Sequence, residues 1–436
     1  MNKVRINNKF ICLLLFIMAI ANVLYGCANK EKKQIEITQT GYVEDFGNEA
    51  VIGFAEESTD SKPVFIISDV INQIELSSLK VKDGSYTLTI NGEKVGKATV
   101  SSGNAVVERL PKNLVLGNVY EVLFEDSSYI YAQKLQYVSK AIYDYEDLVR
   151  SLTYYRTYVL SPEEATSPSS KEKEKFYDGA EFSQRLFVLA NDIGVSFNDS
   201  TFGCGGKFDK REYATSFSYQ NSAYFYDVFD GKGNSIIIED MFLYGVFGHI
   251  GNGAKIQNLK IRTTDNNYWN RPYNYAERNI LSCSIAKNAA IENVAIMVDV
   301  KETTVMNSLN VVSSYINKGA KLKDIIIILS DKITVQSERI DAPRIKDLPR
   351  GFLGEKCYLE EVEGVYVVAN GLKEACYYKI AEDEYKILYA ENQIEADYDN
   401  FINGCYYYER VSDLRNERTL IGNWYVDDFE QIIFKK

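Results

Sequence analysis

The sequence predicts an all-β chain: an immunoglobulin-like β-sandwich over residues 34–141, then a right-handed parallel β-helix over 142–436 that starts with a short capping helix. Three observations lead there. The first is composition, with 33 Tyr and 21 Phe against 7 Pro, a bias toward residues that fit a pleated surface. The second is a run of short alternating segments punctuated by turns, and the third is an internal repeat in the C-terminal half.

The N-terminus precedes both domains. Lys3, Arg5 and Lys9 form a basic leader, and Phe10 to Leu24 form an apolar stretch of signal-peptide length, too short for a comfortable membrane span. It closes on Leu24-Tyr25-Gly26-Cys27, which resembles a bacterial lipobox, with Cys27 as the thiol that takes the lipid. The resemblance implies a signal peptide over residues 1–26, a lipidated tether over 27–33, and protein mass on the extracellular face of a bacterial membrane. Acyl chains anchor such a protein at about 0.8 kcal/mol per buried methylene.

Residues 34–141 carry the sandwich prediction. Ile35–Thr40, Ala50–Ala55, Val64–Ile67, Tyr86–Ile90, Lys97–Val100, Val119–Phe124 and Ala132–Val138 alternate apolar and polar residues, and Lys82-Asp83-Gly84 and Asn91-Gly92 supply turns between them. Seven short strands at this spacing match a sandwich by count, without the Cys-Trp-Cys pattern of antibody domains.

Beyond it, Tyr145, Leu148, Val149, Leu152 and Tyr155 recur at helical spacing, which predicts a capping helix over 144–156 with Asp144 as its N-cap. Residues 161–175, rich in Ser, Pro, Glu and Lys, read as a mobile surface loop. The repeat follows. Gly253-Ala254-Lys255-Ile256-Gln257-Asn258-Leu259-Lys260-Ile261 recurs as Ala289 to Ile296, as Gly319 to Ile327, and more loosely as Cys357 to Val362. Aligning Ile256, Ile291, Leu322 and Leu359 gives intervals of 35, 31 and 37 residues. A constant strand core with variable intervals fits a stacked coil with loop insertions. The polar residue inside each copy (Asn258, Asn293, Asp324, Glu361) is expected at a turn, bonding backbone donors.

Upstream, Leu186 to Ile193 ends in Asn-Asp-Ile, Phe229-Asp230-Gly231-Lys232-Gly233 forms a turn, and Gly245-Val246-Phe247-Gly248 precedes the first full copy. With the rungs, these segments resemble the bacterial surface β-helix proteins that carry the GLUG motif, over about residues 142–436. Later copies have lost the bracketing glycines, and Asn423 to Val426 with Ile432 to Phe434 resembles a closing strand with a capping aromatic. The resemblance implies envelope attachment and a role in adhesion or display, with no defined reaction.

Chemistry is sparse. The formal charge is −12, or −15 once the basic leader is removed, which opposes nucleic-acid binding. His249 is the single histidine, and Cys204, Cys283, Cys357, Cys376 and Cys405 form no C-x-x-C pair, so the sequence assigns no metal and no cofactor and reads these thiols as free and buried. A carbohydrate-active β-helix enzyme, lyase or glycosidase, is the alternative. Its best local carboxylates are Asp227, Asp230, Glu239 and Asp240, although Asp230 before Gly231 is more simply a turn residue. Gly203-Cys204-Gly205-Gly206 reads as a tight turn. The insertion 263–278 holds Tyr268, Trp269, Arg271, Tyr273 and Tyr275 among amides, a mixture suited to an extracellular glycan or a surface protein, or to packing the loop against the coil.

Overall fold

The computed structural model describes residues 32–46, 50–54, 65–70, 74–144, 147–148, 184–195, 201–203, 206–208, 224–238, 245–264, 279–300, 303–306, 311–335, 356–357, 359, 361–371 and 403–435. The chain is all-β, and it forms two compact units, the second taking in Phe46–Asn72 as well as Val138 onward.

The first unit is built from β1 (Lys33–Asp45), β4 (Ile74–Ser77), β5 (Gly84–Ile90), β6 (Glu93–Ser101), β7 (Asn104–Val107), β8 (Val119–Glu125) and β9 (Tyr129–Val138). Between the first two of these, β2 (Ala50–Phe54) and β3 (Phe65–Val70) pair only with each other. The seven strands close into a barrel, β1-β4-β7-β6-β5-β8-β9, and this corrects the sandwich prediction. Alternation along a strand is the same in both architectures, so it does not discriminate between them. Closure joins strands far apart in sequence, and close packing and strand bending accommodate it. Gly41, inside the long strand β1, lies where an added Cβ would meet Ser77 O at 2.5 Å and Leu135 Cδ2 at 2.7 Å. The β5–β6 register shifts at Leu88/Thr89, where Val95 is the extra residue on β6, an irregularity of the kind that bends a strand. Val43, Leu76, Leu88, Ile90, Val122, Phe124 and Leu135 fill the interior. Gln133 is buried in this unit and fully bonded: its amide donates to Gln39 O and Ser78 O, and its oxygen accepts Lys80 N–H, each at 3.0 Å.

The second unit is a stack of parallel strands. One sheet runs β10 (Lys140–Ile142), β11 (Leu186–Leu189), β16 (Val228–Asp230), β19 (Lys255–Thr263), β21 (Ala290–Val298), β24 (Lys321–Leu329), β27 (Glu361–Val368) and β28 (Asn403–Tyr408), with β12 (Ile193–Val195) and β17 (Ser235–Ile238) joining beside it. A second sheet runs β15 (Tyr224–Phe225), β18 (Phe247–Ile250), β20 (Ser282–Ile285), β23 (Ser313–Ile316) and β26 (Lys356–Cys357), and β22 (Thr304–Met306) pairs with β25 (Ile333–Val335). Every pairing among these strands is parallel. The chain alternates between the two large sheets, β18 to β19, β20 to β21, β23 to β24 and β26 to β27, so each turn adds one strand to each. Ile256, Ile291, Leu322 and Val362 stack inward with Leu259, Val294, Ile325 and Val365 in one continuous core.

A hairpin of β13 (Thr201–Gly203) and β14 (Gly206–Phe208) pairs Gly203 with Gly206, leaving a two-residue connection at the predicted tight turn. Of the capping helix predicted over 144–156, Asp147 and Leu148 are helical. Asp144 caps that turn through its carboxylate to Asp147 N–H at 2.9 Å, and its carbonyl accepts Leu148 N–H. The rest of that helix, the loop 161–175, and residues 1–31 with Cys27 lie outside the described residues.

The chain ends on α1 (Val411–Glu417) and an antiparallel sheet of β29 (Leu420–Ile421), β30 (Trp424–Val426) and β31 (Ile432–Phe434). This sheet does not extend the stack as a closing strand. It lies flat on the outer face of β21, β24 and β27, where Leu414, Ile421, Trp424, Val426 and Ile432 cover Ala295, Ile326, Tyr366 and Val368.

Candidate functional site

The two sequence-nominated carboxylates that are described sit in the wall of the coil. Asp227 is buried and accepts Arg185 N–H at 2.8 Å. Asp230 is buried with both oxygens engaged. Oδ1 accepts Lys232 N–H at 2.9 Å and the Asn258 amide at 3.0 Å, while Oδ2 accepts the Gln257 amide at 3.2 Å and pairs with Lys232 Nζ at 3.4 Å. A carboxylate spent in this way anchors a turn, as the Asp-Gly step implies. Glu239 and Asp240 lie outside the described residues, as do Tyr268, Trp269, Arg271, Tyr273 and Tyr275 of the insertion. Among the described residues no group of three His, Cys, Asp or Glu side chains is arranged to hold a metal, and no helix is long and apolar enough to cross a membrane.

Asp230 is the first member of a polar spine. Asn258, Asn293 and Asp324 occupy one corner of successive turns with φ of 53°, 56° and 52°, the left-handed region that Asn and Asp tolerate better than other side chains. Each corner offsets the strand by one residue, so Ile291 and Val294, three apart, both point inward. The next corner is Gly364 at φ 96°, because Lys323 pairs with Glu363 and Ile325 with Val365. The fourth copy of the repeat is therefore set by Val362, not Leu359, and Glu361 is not a corner residue. Asn293 donates to Asn258 Oδ1 at 3.3 Å, Asn258 donates to Asp230, and burial pushes the Asp324 carboxyl above its usual range.

The C-terminal sheet docks onto this spine. Asn423 N–H donates to Asn293 Oδ1 at 2.8 Å, and the Trp424 indole donates to Asn293 O at 2.9 Å. Phe434 lies on Gly233, where an added Cβ would come within 2.2 Å of the ring, and Lys260 Nζ reaches Ile432 O at 3.1 Å. Desolvation holds the Lys260 ammonium below the usual lysine range. The Gly231-Lys232-Gly233 turn thus serves as a seat for Phe434.

Beside that sheet an aromatic group marks the last turns. Tyr366 stacks on Tyr406 with ring centroids 5.3 Å apart, and Arg418 lies 5.4 Å over the Tyr366 ring while donating to the Tyr366 hydroxyl at 2.6 Å. Along the outer wall, Lys255 pairs with Glu292 at 2.6 Å and Lys323 with Glu363 at 3.0 Å, charges alternating from turn to turn. Inside, the Cys357 and Cys405 thiols are free, and burial pushes each up to about 12, so they stay protonated and unreactive at neutral pH.

Sequence reasoning missed this outer assembly. Its signal was present in Trp424-Tyr425-Val426 and Ile432-Ile433-Phe434, which alternate about a turn, and in Ile325 to Leu329, whose unbroken apolar run reports a strand covered on both faces. Comparison with known protein families, with curated proteins and with solved structures finds no match to the chain.

Proposed function

We propose that this chain is a lipid-anchored protein of the bacterial cell surface, whose coil is a right-handed parallel β-helix used for adhesion, ligand binding or display. The observation that carries the reading is the order of basic leader, apolar stretch and Leu24-Tyr25-Gly26-Cys27 at the N-terminus. The right hand is the expected sense for parallel crossovers. Stacked coils present extended walls to solvent, and the glycan or surface-protein contact is assigned to the aromatic insertion 263–278, where rings alternate with amides.

The anchor is tested by growing a bacterial host that expresses the full chain on an alkyne-bearing palmitate. Label in the band and recovery in the membrane fraction are the expected result, both lost in Cys27→Ser; label retained by Cys27→Ser overturns the assignment. For the insertion, the detergent-solubilised chain is applied to a glycan array. Binding that disappears in Trp269→Ala is expected, and binding that survives the substitution moves the contact elsewhere.

A further inference from the structure

The C-terminal sheet has a second face that the coil does not use. Leu420 pairs with Tyr425, and Tyr425 with Ile433, so three apolar side chains stand in one row across β29, β30 and β31. They are 46%, 40% and 46% exposed, while their neighbours Ile421, Trp424 and Ile432 are buried beneath. The turn between β30 and β31 adds Phe429 at 82% exposure. Scattered exposed apolar residues need no explanation, but a row of cross-strand partners with an aromatic at its end is a patch.

Phe429 is held out, not merely left out. Asp427 Oδ1 accepts both Phe429 N–H and Gln431 N–H at 2.8 Å, Asp427 N–H donates to Gln431 O at 3.0 Å, and Glu430 N–H donates to Asp427 O at 3.1 Å with Glu430 at φ 60°. These bonds fix the backbone of the turn with Phe429 on its exposed side, so much of the backbone ordering cost of presenting the ring is already met. Acidic residues flank the ring: Asp428 and Glu430 are exposed, Asp428 also pairing with Arg415 at 3.2 Å, while the Asp427 carboxylate is turned onto the N–H groups of the turn itself.

We infer that the Leu420–Tyr425–Ile433 row and the Phe429 turn form a docking surface for a protein partner with an apolar pocket rimmed by Lys or Arg. Charge selects this occupant. An acidic rim on a chain of formal charge −12 repels a second copy of itself and an anionic lipid surface, and it complements a basic rim. Pairing through the β31 edge is disfavoured because Lys260 already occupies Ile432 O, which leaves the face as the contact.

The test titrates the full chain with a synthetic peptide of alternating Leu and Lys, with its Leu/Glu counterpart as control. Binding of the Leu/Lys peptide that weakens at least about tenfold in Phe429→Ser and in Tyr425→Thr, with no binding of the Leu/Glu peptide, is the expected result. Both substitutions are at exposed positions, and retention of the wild-type melting temperature verifies the fold. Binding that neither substitution changes reduces the contact to bulk charge and overturns the proposal. Concentration-dependent self-association abolished by the same substitutions assigns the face to a second copy, and adsorption to phosphatidylcholine vesicles abolished by them assigns it to a membrane; either result overturns it too.

Discussion

Trp424→Ala is expected to cost about 3–5 kcal/mol of stability, the range for deleting a large buried aromatic. Trp424 is the largest fully buried side chain among the described residues, its ring meets Phe434 edge-on at 5.0 Å, and its indole N–H satisfies Asn293 O. Truncation opens a cavity and orphans that carbonyl together. Trp424→Phe separates the two effects: it keeps most of the ring volume and loses the donor, and should cost about 1–2 kcal/mol. The chain has two tryptophans, so denaturant unfolding followed by fluorescence in a Trp269→Phe background reports the Trp424 site directly. For both Trp424 variants, which lack that fluorophore, far-UV circular dichroism provides the transition. A loss below about 1 kcal/mol would falsify the view that the C-terminal sheet is integral to the coil, since mutations at a loosely attached surface element stay within such limits.

What the sequence revealed of this architecture follows from which contacts are local. The parallel coil was legible because its core positions recur with the same spacing in each turn: Ile256 and Leu259, Ile291 and Val294, Leu322 and Ile325. The fourth turn was misplaced because Leu359 and Val362 happen to repeat that three-residue spacing, with Glu361 between them. The true corner, Gly364, has no side-chain amide to match against Asn258 and Asn293, although its backbone hand is the same. The barrel was misread as a sandwich because Ala50–Ala55 and Val64–Ile67 were counted as its strands. Two short strands, Ile74–Ser77 and Asn104–Val107, escape the sequence reading, being four residues each, although the Ser102-Gly103 turn before the second is a local signal for it. Closure itself is a long-range event, in which β1 meets both β4 and β9, and no local pattern encodes it. The Asp-Gly step reads Asp230 as a turn residue, and its four contacts, with Lys232, Gln257 and Asn258, fit that use. The docking of residues 420–434 on the spine joins positions more than 100 apart in sequence, such as Asn293 and Asn423, and for that reason only the alternation of the segment was visible.

Substitution at the Asn293 corner separates backbone hand from side-chain bonding. Asn293→Gly keeps the left-handed conformation at no steric cost but removes the bonds to Asn258 and Asn423, an expected loss of about 1–3 kcal/mol. Asn293→Ala removes the same bonds and forces a Cβ-bearing side chain without a local hydrogen bond to hold φ 56°, adding roughly 1–2 kcal/mol. The order wild type, Gly, Ala in denaturation midpoint is therefore predicted. The same column provides a harsher case at Gly404, φ 89°, where an added Cβ would lie 2.1 Å from Val362 O. That clash is with backbone, so Gly404→Ala must displace a strand and should destabilise more than either Asn293 variant. If instead Asn293→Ala matches or exceeds Asn293→Gly in stability, the left-handed corner carries no strain of its own. The spine would then be held by its amides alone, and Gly364 and Gly404 would need a different reason to stand where Asn and Asp stand in the turns before them.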